Sequence, residues 1–207
     1  LMKYRVRVEI EYYIALARLR LFDLSELDKK KLQTVYLKFT PKEAAKVKDI
    51  EKTTNHDVKA IEYYIKSKLR GADLEFIHFA LTSEDINNLS YSLMLKEGIE
   101  DCLYPVIALL LDKIKEFAHD NKGLAMLART HGQPASPTTL GKEFAIYFHR
   151  VKTQLDSLKN IKISGKLNGA SGNFCAHSVA YPDIDWIKFS EHFVKSLGLN
   201  PNLITYQ

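Results

Sequence analysis

Cysteine is nearly absent: the chain has two, Cys102 and Cys175, in 207 residues. Neither has a second Cys or a His at metal-ligand spacing, so a disulfide framework and a zinc-knuckle site are both excluded. Two buried or free thiols are the pattern of a reducing compartment, and a cytoplasmic location is the expectation. No apolar run approaches the roughly 20 residues of a membrane span, and the first residues lack a signal-peptide cleavage pattern. Internal repeats and low-complexity segments are missing, as are G-x-G-x-x-G and G-K-[ST], so a dinucleotide fingerprint and a phosphate loop are not indicated. There is also no patch of one charge. Lys and Arg total 30 against 25 Asp and Glu, a net +5, but the basic residues are interleaved with acidic ones, as where Lys29-Lys30-Lys31 follows Glu26 and Asp28. Nucleic-acid binders concentrate their charge; this dispersion favours a small anionic ligand and no nucleic-acid or membrane partner.

What is present is a helical chain. With 46% hydrophobic and 27% charged residues, it can bury a core of one domain, or of a domain and part of another. The first segment is ambiguous, because Val6, Val8 and Ile10 alternate like a strand while Ile10, Ile14, Ala17 and Leu21 share a helical face. Its length without a turn residue up to Phe22 favours helix. Ser25 reads as a helix cap, and Thr40-Pro41-Lys42-Glu43 as a capping box with proline at the first position. That helix ends near Thr53-Thr54-Asn55, and Asn55 or Asp57 is expected to cap the next, which carries Val58, Ile61 and Ile65 to Gly71. A short helix from Asp73 carries Phe76, Ile77 and Ala80. Thr82 or Ser83 then caps a run from Ile86 to Asn121, with Leu89, Leu93, Cys102, Val106, Leu110, Ile114 and Phe117 on helical spacing and a kink or break at Gly98 and Pro105. A helix start bearing two hydroxyls also suits a carboxylate or phosphate.

Between Ala128 and Thr139 two prolines and a glycine rule out helix, and the segment reads as a loop holding Arg129, Thr130, His131 and Gln133. Imidazole moves protons near neutral pH; on local evidence alone, a capping loop whose histidine merely bonds backbone is the favoured reading. Leu140, Phe144, Tyr147, Val151, Leu155 and Leu158 then trace one apolar stripe, expected to pack on the Ile86 to Asn121 helix and on copies in other subunits. Ser164 to Asn173, with three glycines, reads as tight turns or a ligand-contacting loop. Pro182 opens a last helix through Trp186, Phe189 and Phe193 to a C-cap at Gly198. His119, His149, His177 and His192 read as structural or solvated.

Three motifs in register, Thr53-Thr54-Asn55-His56-Asp57-Val58-Lys59, Phe79-Ala80-Leu81-Thr82-Ser83-Glu84-Asp85-Ile86-Asn87-Asn88 and Arg129-Thr130-His131-Gly132-Gln133-Pro134-Ala135, followed by Gly165-Lys166-Leu167-Asn168-Gly169-Ala170, resemble the adenylosuccinate lyase branch of the fumarase/aspartase superfamily over essentially all 207 residues. The resemblance implies an all-α fold whose long central helices assemble as a homotetrameric bundle with shared active sites. It implies residues 1–81 as an N-terminal helical domain and 82–207 as the first part of a central one. It also implies β-elimination of fumarate from a succinylated purine nucleotide, without metal or organic cofactor. His131 matches the general acid, and Asn55, His56, Asp57, Thr82, Ser83 and Gln207 match substrate contacts. His78 and Thr130 are further candidates. The family's serine base lies on a loop of the form S-S-x-M-P-x-K-x-N-P, which does not occur in these residues, nor does its early Arg-Tyr motif. Leu1 opens directly into a periodic pattern and Gln207 follows no helix stop, so the sequence reads as a piece of a longer chain, and these residues alone are expected to be inactive. The alternatives are another fumarate-releasing lyase, such as fumarase or argininosuccinate lyase, and a non-catalytic helical scaffold.

Overall fold

A computed structural model describes residues 1–69 and 72–207. It is built from nine α-helices among the described residues, α1 (Met2–Arg18), α2 (Glu26–Leu37), α3 (Pro41–Thr54), α4 (Asp57–Lys66), α5 (Ser83–Gly98), α6 (Tyr104–Asp120), α7 (Leu140–Lys159), α8 (Cys175–Ala180) and α9 (Trp186–Ser196), with two small two-stranded pairings. Two compact units form: one from residues 1–95 and 163–207, the other from 96–162. The expected domain boundary between residues 81 and 82 falls inside the first unit.

In the first unit α1 is helix throughout. Val6, Val8, Ile10, Tyr12, Ile14 and Leu16 are all buried, so α1 is surrounded on several faces, and the strand-like alternation and the helical stripe are both real. The core adds Ile61 and Ile65 of α4, Ile86, Leu89 and Leu93 of α5, Leu167, and Trp186, Phe189 and Phe193 of α9. Ser25 Oγ accepts from the Asp28 N–H at 3.1 Å, as a cap should. The capping box at Thr40 is half made. Thr40 Oγ1 accepts from the Glu43 N–H, while the Glu43 carboxylate turns to Tyr64, Lys46 and Lys68. The expected continuation of α4 to Gly71 lies outside the described residues. The short helix after it is a 3₁₀ turn, Ala72–Phe76, that stops before His78. Pro182 does not open α9; the helix starts at Trp186, where Asp185 Oδ1 accepts from the Lys188 N–H at 2.9 Å. Gly198 follows its end with φ 76°, as a C-terminal glycine should.

The second unit corrects two expectations. The kink after Gly98 is a π turn, Ile99–Leu103, that runs straight into α6. The polar loop is a β-hairpin, β1 (Ala125–Thr130) against β2 (Gln133–Thr139), antiparallel, with a bulge where Leu127 pairs Pro137 but Arg129 pairs Pro134. In a two-stranded ribbon each strand has a free edge, so the N–H that Pro134 and Pro137 lack is tolerated. α6 and α7 pack together, Phe117 meeting Phe144 at 4.4 Å between ring centres. The stripe of α6 is largely exposed, at Val106, Leu110 and Phe117, whereas that of α7 is mostly half-buried, with Leu155 buried and Tyr147 exposed; Leu111 is the buried large side chain of α6. Both cysteines are free and exposed. Among the described residues no helix is long and apolar enough to cross a membrane.

Gly141 seals the junction of hairpin and α7. Its N–H bonds Asn121 O at 3.0 Å, and a Cβ there would lie 2.2 Å from Ala118 O and 2.6 Å from Lys122 backbone. Gly141→Ala must move backbone, and is expected to lower stability by about 1–3 kcal/mol in urea unfolding; an unchanged midpoint would contradict the tight junction.

Candidate active site

The first unit gathers most of the predicted residues around one buried carboxylate. Asp85 is fully buried, three residues into α5. Its Oδ2 accepts from the Thr82 N–H at 2.9 Å and the Gly169 N–H at 3.2 Å, and its Oδ1 from the Asn168 N–H at 3.1 Å. Lys166 Nζ adds an ion pair at 2.9 Å and also donates to Gly169 O at 3.0 Å. Asn88 clasps the Lys166 backbone from both sides, donating to its carbonyl at 3.0 Å and accepting from its N–H at 2.8 Å. The glycine-rich segment is therefore a buried connector, Gly165 through Gly169, rather than a set of surface turns. It is held further by a two-residue parallel pairing of β3 (Ser164–Gly165) with β4 (Asn200–Pro201).

This arrangement frees the two candidate hydroxyls. Asp85 reaches back to the Thr82 N–H just ahead of α5, and among the described residues neither the Thr82 nor the Ser83 hydroxyl makes the cap bond that the sequence suggested. Thr82 Oγ1 instead accepts from Gln207 Nε2 at 3.2 Å. Gln207 is brought there because Asn168 Nδ2 donates to Thr205 Oγ1 at 2.7 Å, and because Gly172, at φ 80°, leaves room for Thr205 O, which would lie 2.0 Å from an added Cβ. Ser83 Oγ lies 3.4 Å from His56 Nε2.

His56 is the cap of α4, in place of the expected Asn55 or Asp57. Its Nδ1 accepts from the Lys59 N–H at 3.0 Å. That bond fixes the neutral tautomer with the proton on Nε2, so His56 donates to Ser83. The Ser83 proton is then not used on His56. Asn55 sits at φ 51° as the last residue of α3 turns over, a position that asparagine tolerates. Asp57 is tied down: Oδ2 meets the guanidinium of Arg5 at 2.6 Å and Oδ1 accepts from the Val58 N–H at 2.9 Å. Burial raises its pKa, but Arg5 and the Val58 N–H outweigh that and hold the carboxyl below the usual range.

His78 is engaged elsewhere than at the hydroxyls; it pairs with Glu9, Nδ1 to Oε1 at 2.6 Å. Glu9 is fully buried. Burial lowers the His78 pKa, but the Glu9 carboxylate outweighs that and leaves it above the ordinary value. His177, read as structural or solvated, is structural: fully buried, with Nε2 3.1 Å from Tyr12 Oη. Tyr12 donates to Phe79 O at 2.9 Å, so His177 donates to Tyr12. Burial, against a smaller opposing effect of Asp85, pushes the His177 pKa down to about 4.

His131 and Thr130 belong to the second unit. His131 and Gly132 are the two central residues of the hairpin turn, at φ 50° and 72°, the signs a type I′ turn requires. The histidine is exposed at the tip, Arg129 Nη1 donating across the turn to Gly132 O at 3.4 Å. Thr130 pairs Gln133 and is exposed. Sequence reasoning quoted Asp85, Lys166 and Asn168 only within motifs and missed Arg5 and Glu9. The one available signal for the last two was a charge at each of two positions four apart on an otherwise apolar helical face. Among the described residues no group of three or more His, Cys, Asp or Glu is placed to hold a metal ion.

The fold is that of helical fumarate lyases. A crystallised fumarate lyase from Mesorhizobium sp. BNC1 superposes with a TM-score of 0.79 at 20% identity, over 99% of this chain and 47% of that one. A β-carboxy-cis,cis-muconate cycloisomerase from Acinetobacter calcoaceticus sp. ADP1 does so with 0.77, also at 20% identity and over 99% and 47% of the two chains. A family model described as lyase matches residues 14–205, so the chain belongs to the lyase family. Its curated relatives carry one particular name. The adenylosuccinate lyase of Haemophilus influenzae is 47% identical over 100% of this chain and 47% of its own. That of Dictyostelium discoideum is 48% identical over 95% and 45%, and that of Escherichia coli K12 44% over 100% and 47%. The chain thus spans about half the length of the curated relatives it matches.

Two outcomes test the buried network. Asp85→Ala strands Lys166 and three N–H groups, and is expected to cost about 3–5 kcal/mol in urea unfolding, whereas Lys152→Ala, which opens an exposed pair with Asp156, should change stability by less than about 1 kcal/mol. His177, neutral when folded, has a folded pKa below the unfolded value of about 6.5. Its contribution is therefore present above pH 6.5 and lost as pH falls toward about 4, by as much as about 3 kcal/mol. Melting temperature against pH should fall over that window in the natural protein and fall less in His177→Gln. His78 has the opposite sign, contributing below pH 6.5 and losing that as pH rises through its raised value.

Proposed function

We propose that the chain works as part of an adenylosuccinate lyase, which eliminates fumarate from adenylosuccinate to give AMP and from the succinylated aminoimidazole carboxamide ribotide of purine synthesis. The observation that carries this reading is the 44–48% identity to relatives of that name across 95–100% of the chain. The motifs they would share are those whose side chains are freed for ligand. With its hydroxyl accepting from His56, Ser83 donates its own proton to a substrate carboxylate. Thr82, accepting from Gln207, does the same, and the Gln207 amide oxygen is left for a donor on the nucleotide.

In the elimination a base removes the proton beside a carboxylate, that electron pair forms the carbon–carbon double bond of fumarate, and the carbon–nitrogen bond breaks. His131 protonates the leaving nitrogen. The serine base that the family resemblance implies is not among these 207 residues, so in this reading they supply the acid and carboxylate contacts without the base. The reading includes a homotetramer with active sites shared between subunits and a cytoplasmic location. The exposed apolar side chains of α6 and α7, Val106, Leu109, Leu110, Ile146 and Tyr147 among them, support the former. It also divides the chain into an N-terminal domain, 1–81, and the first part of a central domain, 82–207.

The test is fumarate release from adenylosuccinate by the full-length protein and its His131→Asn variant. Asparagine suits the positive φ of the turn, so the hairpin survives while proton donation is lost. The expected result is a fall in kcat of a hundred-fold or more, and no release by the 207-residue span assayed in parallel. Turnover of the variant within about tenfold of the natural enzyme would remove His131 from the role.

A further inference from the structure

The starts of α4 and α5 each bring one member of the His56–Ser83 contact, and a third element spans both. Arg5, on α1, is buried, with 7% of its surface exposed. One arm of its guanidinium meets Asp57 Oδ2 at 2.6 Å, and its Nε donates to Asn87 Oδ1 at 2.9 Å. Asp57 adjoins His56; Asn87 lies one turn beyond Ser83. A planar fork with donors at fixed angles ties two segments at a set spacing, which the single flexible ammonium of lysine does not. A buried guanidinium without its partners would be costly, so the two bonds are held together.

We propose that Arg5 is a positioning residue that sets the His56–Ser83 distance and so the direction of the Ser83 proton. Asp57, whose two oxygens are spent on Arg5 and the Val58 N–H, is then the bracket through which Arg5 acts and not itself a substrate contact. The proposal rests on the reading above that His56 and Ser83 face substrate.

The experiment uses the full-length protein, with Arg5→Lys, His56→Ala and the double variant, assayed for fumarate release from adenylosuccinate. Arg5→Lys is expected to lower kcat/KM tenfold or more, chiefly through a raised KM, because a ground-state contact is misplaced. In the double variant the loss should equal that of His56→Ala alone, since a residue acting only through His56 has nothing left to position. Losses that multiply would overturn the proposal, as would a kcat/KM for Arg5→Lys within twofold of the natural enzyme. If Arg5→Lys does not fold, Asp57→Asn removes the same bond from its other end and is held to the same outcomes. If the natural protein releases no fumarate, the functional reading fails on its own. Positioning is then read from the imidazole ¹⁵N resonances of His56, assigned by their loss in His56→Ala. The natural protein should show the tautomer protonated at Nε2, with its Nε2 resonance moved in Arg5→Lys; an unmoved resonance means that Arg5 positions nothing there.

Discussion

A carboxylate with no access to water is the constraint from which the site follows. Burying Asp85 is expensive unless its oxygens are met by donors, and the donors come from two places far apart in sequence, Thr82 on one side and Lys166, Asn168 and Gly169 on the other. Once those are drawn together the remaining contacts close a ring. Asn168 holds Thr205, the chain runs on two residues to Gln207, and Gln207 returns to the hydroxyl of Thr82. Each member of the ring is short and polar, so its geometry is set by hydrogen-bond lengths rather than by apolar packing, which tolerates more slippage.

The first helix plays the complementary part. Arg5, Glu9 and Tyr12 lie four and three residues apart and are buried, so they form a polar strip among the mostly aliphatic buried side chains of the helix. Arg5 reaches Asp57 and Asn87, Glu9 reaches His78, and Tyr12 reaches Phe79 O and His177. A helix that buried only Val, Ile and Leu would pack with less regard to register along its axis; five polar contacts from three side chains fix one register.

The helices were legible because their signals are local. Ser25 announces α2 within three residues, and the pause at Gly98 and Pro105 announces a break whose form, a π turn, was not readable. The hairpin was read as a loop because two prolines and a glycine rule out helix, and only the pairing shows that these residues form strands with edges to spare. The stripe on α7 was correctly periodic and is largely covered, with Leu155 buried, Leu140, Phe144, Val151 and Leu158 half-buried and Tyr147 exposed; periodicity marks which face is apolar and not how fully it is covered. Within the site, the motif residues were visible and their bonds were not: Asp85 and Gly169 are 84 residues apart, and no window on the sequence spans that. His56 was likewise found by motif, while its use of Nδ1 as a helix cap, which settles where its proton sits, depended on a backbone N–H three residues on.

The division of the chain bears on the order in which it can be completed during synthesis. The second unit, 96–162, is inserted between the two stretches that make the first. On the ribosome the amino-terminal stretch emerges with Asp85 already made, then must wait through the inserted unit before Lys166 and Asn168 arrive. The inserted hairpin and helix pair contact near neighbours in sequence and can form early. Until the later stretch is translated, the Asp85 side chain stays hydrated and the start of α5 lacks its tether, so the nascent first unit remains open to water, chaperone and protease for the time that some eighty further residues require, roughly 4–16 s at typical elongation rates.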